Sequence, residues 1–225
     1  VPRAMIGGLL IARSPVAATV VPTAATWIKV WPAALIAAAV IALRGRLRIV
    51  ATALLSSALI MIVALTLGSG ANVLSFVTQQ TGRGLQIEAP VSTFWLWQAA
   101  AGVPGAFVYY DQQILTFQIN GDGVDVASAL MTPLLGLAII VIALLGVRAT
   151  RAGVAAGDLL PSLSLALVTA LIAFNKVGSP QFVSWLAVPV VLGLATRAAG
   201  HGRSFRTPAI MVLVIAGLTQ FIYPY

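Results

Sequence analysis

Leu159 to Phe174 reads Leu-Leu-Pro-Ser-Leu-Ser-Leu-Ala-Leu-Val-Thr-Ala-Leu-Ile-Ala-Phe; Asn175-Lys176-Val177-Gly178-Ser179-Pro180-Gln181 follows, and Phe182 to Thr196 is apolar again. Two apolar runs around a short polar break describe two membrane spans joined by a turn. Neither run alternates as a barrel strand does, and a span in lipid must satisfy its own peptide groups, so the spans are helices. The break carries a cation, an amide and a Gly-Ser-Pro turn. A lysine, an amide and a turn between two spans are not needed for packing alone, so recognition or chemistry is expected here.

The whole chain shares this character. Of its 225 residues 60% are hydrophobic and 8% charged, and mean hydropathy is +1.03. No soluble domain of this length can hide so much apolar surface. The fold class is therefore an all-α polytopic integral membrane protein, with residues 1–225 forming a single membrane domain. A net charge of +8 would suggest nucleic acid in a soluble protein, but here the cations sit at the ends of spans, so no nucleic-acid partner is expected. The absence of cysteine excludes disulfides and thiolate metal sites. The chain opens Val1-Pro2-Arg3 and closes Phe221-Ile222-Tyr223-Pro224-Tyr225 directly after an apolar run, and reads as an internal or C-terminal piece of a longer protein.

Clear spans are Ile49 to Leu67, Val124 to Val147, Leu159 to Phe174, Phe182 to Thr196 and Thr207 to Ile222. Several are at the short end of the roughly 17–25 residues that a bilayer needs. Between Pro15 and Leu43 the pattern fits two short helices, Pro15 to Ile28 and Val30 to Leu43, meeting at Lys29-Val30-Trp31-Pro32. The arginines at 13, 44, 46, 48, 148, 151, 197, 203 and 206 then share one side, cytoplasmic by the positive-inside rule, and Arg3, Lys29, Arg83 and Lys176 share the other. One long helix would move Arg13 across and weaken the bias.

Residues 68–123 form a long extracytoplasmic loop. It holds an amphipathic piece at Val73, Leu74, Phe76 and Val77, then Gln79 to Pro90, then the aromatic stretch Phe94-Trp95-Leu96-Trp97, of the kind that anchors at a membrane interface. Phe107 to Tyr110 and Ile114 to Ile119 are β-prone on either side of Asp111-Gln112-Gln113, with turn residues Asn120-Gly121-Asp122-Gly123 after them, so a small hairpin is expected.

The polar clusters around Lys29, Arg83/Glu88 and Lys176/Gln181 all fall on the outer face. Arg83 can grip phosphate with its fork and Lys29 or Lys176 as point charges, while Gly82, Gly84 and Gly178 let backbone come close. Glu88, Asp111 and Gln181 can hydrogen-bond sugar hydroxyls. Such a site fits a lipid-linked phosphate sugar. Plainer readings stand beside these. Lys29 and Lys176 can snorkel to head groups, and Arg83 and Glu88 can form a structural ion pair. Trp95, Trp97, Tyr109 and Tyr110 can be interface anchors, and Asp111, Asp122 and Asp125 turn or cap residues. His201 has no partner for a metal. No P-loop, nucleophile elbow or zinc signature is present, so no cofactor or metal is called for.

Three stretches together resemble a known family: Ile28-Lys29-Val30-Trp31-Pro32, Gln80-Thr81-Gly82-Arg83-Gly84-Leu85-Gln86-Ile87-Glu88-Ala89-Pro90, and Asn175-Lys176-Val177-Gly178-Ser179-Pro180-Gln181-Phe182-Val183-Ser184-Trp185-Leu186. They look like the bacterial polytopic mannosyltransferases of glycosyltransferase family 87, which have the GT-C fold. The similarity runs from about Arg13 to Thr196. Its most specific piece is the last motif, which usually has Tyr where this chain has Phe182.

The resemblance implies transfer of a sugar, typically mannose, from a polyprenyl-phosphate donor to a glycolipid or polysaccharide acceptor, in the cell membrane and on the extracytoplasmic face. Lys29, Arg83 and Lys176 would neutralise the donor phosphate as it leaves. Gln86, Glu88, Asn175, Ser179 and Gln181 would shape the sugar and acceptor pocket. Related enzymes use an aspartate of the first extracytoplasmic loop as general base, and that loop is expected upstream of Val1. The competing classes are a transporter or flippase for a lipid-linked or anionic solute, and a noncatalytic assembly subunit.

Overall fold

The computed structural model describes residues 15–74 and 84–223. Helices dominate: α1 Pro15–Ile28, α2 Ala33–Ala42, α3 Arg46–Thr66, α4 Thr93–Ala100, α5 Val124–Arg151, α6 Ala156–Ala173, α7 Ala187–Ala198 and α8 Arg206–Ile222. Strands β1 Phe107–Asp111 and β2 Thr116–Asn120 pair antiparallel, Phe107 opposite Asn120 and Asp111 opposite Thr116. Arg46–Thr66, Val124–Arg151, Ala156–Ala173 and Pro180–Ala198 are each long and apolar enough to cross a membrane. The chain is a mostly helical membrane protein with one small sheet.

Two of the expected spans gain detail in the structure. Phe182 to Thr196 is not a single α-helix: Pro180–Leu186 is a 3-10 segment and α7 follows it. At about 2.0 Å per residue in the 3-10 part and 1.5 Å in α7, the stretch from Pro180 reaches about 32 Å, so the tighter winding gives a short run the length of a hydrocarbon core. The last run, α8, has 17 residues. Its reach of about 25 Å falls short of the ~30 Å core.

The described residues divide into two compact units, the first from 15–73, 141–168 and 183–223, the second from 74, 84–140 and 169–182. In the first, α1 and α2 are separate helices that pack on each other and on α3. The break between them follows from Pro32, which has no N–H to continue a helix and disfavours helical geometry at Trp31, but suits the position just before α2 at φ −63°. Gly45, at φ 83°, makes the left-handed turn from α2 into α3.

Three polar side chains of α1 find partners within the helices, as lipid requires. Thr23 and Thr26 donate to the carbonyls of Thr19 (2.7 Å) and Pro22 (2.8 Å), and Trp27 Nε1 donates to Ser57 Oγ of α3 (3.0 Å). Ala34, Ala38 and Ala42 are buried one turn apart along α2, the small-residue face that lets helix backbones approach closely. On α3, Leu54, Leu55 and Leu59 are exposed, which suits contact with acyl chains.

The arginine-rich connections gather at one end of this unit. Thr150 Oγ1, in the last turn of α5 between Arg148 and Arg151, donates to Ile41 O near the end of α2 (3.1 Å), and Arg46 reaches the same carbonyl (3.3 Å). A Cβ on Gly157 would lie 3.3 Å from Thr196 Cγ2 and 3.5 Å from His201 Cβ, so the start of α6 lies against the last turn of α7, with Arg197, and the connection to α8, with Arg203.

In the second unit the core is Leu85, Ala89, Trp95, Ile119 and Val124. Trp95 is therefore not an interface anchor: it is 7% exposed, its Nε1 donates to Asp122 O (2.8 Å), and Gly121 lies so near its ring that a Cβ there would collide with Cδ1. The anchoring reading fails for Trp95 because the Gly121-Asp122 turn offers the indole an apolar face and an acceptor together. Trp97 and Phe94 do remain exposed. The hairpin forms as expected, with Ile114 and Leu115 in the turn rather than in β2. Asp111 makes that turn: Oδ1 accepts from the N–H groups of Gln113 (2.8 Å) and Ile114 (3.3 Å), and Oδ2 from Gln118 Nε2 (2.9 Å). Asp125 sits in the first turn of α5, where a carboxylate complements the helix dipole.

Candidate functional site

The polar break at 175–181 and the segment from Gly84 to Ala89 belong to the same unit, and Gln86 joins them. Its backbone N–H donates to Lys176 O (3.1 Å), and its side-chain Oε1 accepts from the Gly178 N–H (3.1 Å). Its Nε2 lies 3.4 Å from Thr116 Oγ1 of β2, and its backbone bridges antiparallel to Gln118. Gln86 is 2% exposed. A buried amide fixes a loop in this way because leaving any of its groups unpaired costs about 1–3 kcal/mol.

Local sequence supports each side of the join. Asn175 Oδ1 accepts from the Val177 N–H (3.1 Å), closing an Asx turn that presents the Lys176 carbonyl. Gly178 packs against the Glu88 backbone so closely that a Cβ would collide with the Glu88 carbonyl and Ala89 N. Ser92 Oγ lies 2.6 Å from both the Ile87 and Ala89 carbonyls and shares its one proton between them, turning the chain from Glu88 into α4. Gly84 leaves the space that the Gln118 carboxamide fills.

The expected site residues therefore divide. Gln86, Glu88, Asn175, Lys176 and Ser179 come together in the second unit, with Gln181 exposed at the start of the 3-10 segment. Lys176, Asn175, Ser179 and Glu88 are half-buried. Glu88 Oε2 is shut from solvent with no hydrogen-bond partner among the described residues. Gln86 was expected in the pocket lining, but its carboxamide is committed to the Gly178 and Thr116 bonds. Lys29 is in the first unit, exposed, with Nζ 5.7 Å from the centroid of the Trp185 ring. Arg83 lies outside the described residues.

Neither known families nor solved structures extend this picture. No protein-family model, curated protein or solved structure matches the chain. Among the described residues no group of three or more His, Asp or Glu side chains is placed to hold a metal ion.

Sequence reasoning missed two features. One is the stacking of Trp31 on Trp185, ring centroids 5.7 Å apart and 12° from parallel, which joins the α1–α2 break to the 3-10 segment within the first unit. In a 3-10 segment residues three apart share a face, so a signal existed in Phe182 and Trp185 following Pro180. The other is the use of Gln86, Gln118 and Thr116 as loop fasteners, which no local pattern reveals. Chemically, the second-unit cluster offers one ammonium, two neutral amides, a hydroxyl and a carboxylate with unfilled acceptor capacity, next to a membrane-crossing helix.

Proposed function

We propose that the chain is part of a GT-C-type membrane glycosyltransferase that moves a sugar, mannose by the resemblance, from a polyprenyl-phosphate donor to a glycolipid or polysaccharide acceptor on the extracytoplasmic face. The observation that carries this reading is the Gln86 join, which brings Lys176 and Asn175 to Glu88 across about ninety residues of chain. A cation beside groups that bond hydroxyls, at a span end, suits a phosphate sugar on a lipid tail.

In this reading the acceptor hydroxyl oxygen attacks the anomeric carbon as the bond to the phosphate oxygen breaks. The hydroxyl proton passes to a base, an aspartate in the enzymes that the chain resembles. Negative charge grows on the departing polyprenyl phosphate. Lys176 counters it, an electrostatic contribution made where charge develops; the resemblance alone gives Arg83 and Lys29 a like role. Glu88, Asn175, Ser179 and Gln181 bond sugar hydroxyls. Gln86 is a positioning residue that holds Lys176 and Gly178 in place.

The test is sugar transfer in membranes carrying the full-length protein, with polyprenyl-phosphate mannose compared with a nucleotide sugar, and native protein compared with Lys176→Ala at matched expression. The expected result is transfer from the polyprenyl donor alone, collapsing in the variant. Stable insertion without transfer from either donor would favour a flippase or transporter, or an assembly subunit.

A further inference from the structure

We propose that the β1–β2 hairpin and α4 together form a paddle seated in the lipid head-group layer, at the end of the membrane where α5 begins. Among the described residues β1 pairs with no strand but β2, and its Phe107, Val108, Tyr109 and Tyr110 are 40–51% exposed, so large apolar side chains stand open on both faces of the strand. Leu115 at the tip and Trp97 on the adjoining α4 are 70% and 72% exposed. α4 packs against β1, which joins these side chains into one surface. A free edge strand facing water is normally guarded by lysine, proline or a bulge; β1 and β2 contain none of the first two, and the one charge, Asp111, is used in the turn.

The chain itself identifies the occupant. Three residues separate Asn120 from Val124, the first residue of α5, so the hairpin lies within about 14 Å of the helix start. α5 has 28 residues. Its length of about 42 Å matches a bilayer with its head groups rather than the ~30 Å hydrocarbon alone, which leaves its first turn, and the hairpin tied to it, at head-group depth. A second copy of the chain pairing along β1 would cover the strand edge and leave both apolar faces open. A bilayer boundary covers the faces while the unpaired peptide groups of the edge and the Tyr109 and Tyr110 hydroxyls stay within reach of water. That same edge cannot sink further, because hydrocarbon offers its peptide groups no partner.

None of the 225 residues is cysteine, so each variant adds one labelling position within them, and the unsubstituted full-length protein taken through the same labelling is the blank. Trp97→Cys and Leu115→Cys, in the full-length protein in phosphatidylcholine nanodiscs, would carry an environment-sensitive fluorophore. Leu137→Cys at the middle of α5 serves as the hydrocarbon reference and Arg203→Cys as the aqueous one. Quenching is read with iodide and with lipids bearing a nitroxide on the head group or deep in the acyl chain. The expected result is strong quenching of both labels by the head-group nitroxide, weak quenching by the deep one, and loss of the iodide quenching seen at position 203. Labels that follow position 203 or position 137 would overturn the proposal. So would labels shielded from iodide and lipid alike, since a protein partner would then cover the surface.

Discussion

The two units hold themselves together by different means. In the first, helices meet along small residues such as Ala34, Ala38 and Ala42, the Thr23 and Thr26 hydroxyls bond back into their own helix, and large apolar side chains on α3 are left outward. In the second, a handful of buried polar side chains, Gln86, Gln118 and Ser92, bind segments with no regular structure around one tryptophan. Lipid is part of the first arrangement and tolerates outward substitutions. The second depends on individual atoms, and the candidate site lies there.

Substitutions that strike each kind of contact should separate the two. Trp95→Ala removes the centre of the second core and its bond to Asp122 O, and is expected to cost about 3–5 kcal/mol there. Limited proteolysis should then cut the 84–123 region while α1 to α3 stay resistant. Gly178→Ala drives a methyl into the Glu88 carbonyl, with an expected cost of about 2–3 kcal/mol. Amide exchange at Gln86 and Gly178 should accelerate without change in α3. Gln86→Leu keeps the bulk but strands the Gly178 N–H, at about 2 kcal/mol, and should raise exchange at Gly178 more than at Val124.

In the first unit Ala38→Leu forces apart a fully buried contact and is expected to cost about 1–2 kcal/mol, seen as a lower denaturation midpoint in mild detergent. Leu55→Ala on the outward face of α3 should stay within about 0.5 kcal/mol. A large loss there would mean that protein, rather than lipid, covers α3.

The same contrast explains what the sequence could tell. Apolar runs and arginine placement located α3, α5 and α6 to within four residues at either end, since length and hydropathy are one-dimensional properties. Pro32 and Lys29 marked the α1–α2 break, and Asp111 with its neighbours marked the hairpin turn. The clasp was not legible. An amide such as Gln86 looks the same in sequence whether it lines a pocket or fastens a loop, and only tertiary contact decides. Trp95 and Trp97, two residues apart in an aromatic stretch, went to opposite environments for the same reason. Gly178 was marked as allowing close approach, but its neighbour, Glu88, lies ninety positions away.

The central claim is that Lys176, held by Gln86, binds the phosphate of a lipid-linked donor. The most direct measurement is the affinity of sugar-free polyprenyl phosphate for the full-length protein in nanodiscs, native against Lys176→Gln, with neutral polyprenol as control. The account predicts binding of the phosphate and not of the alcohol, weakened about tenfold or more in the variant, as expected for loss of a charge-assisted contact. Equal affinity of native and variant protein, or equal binding of phosphate and alcohol, would contradict it.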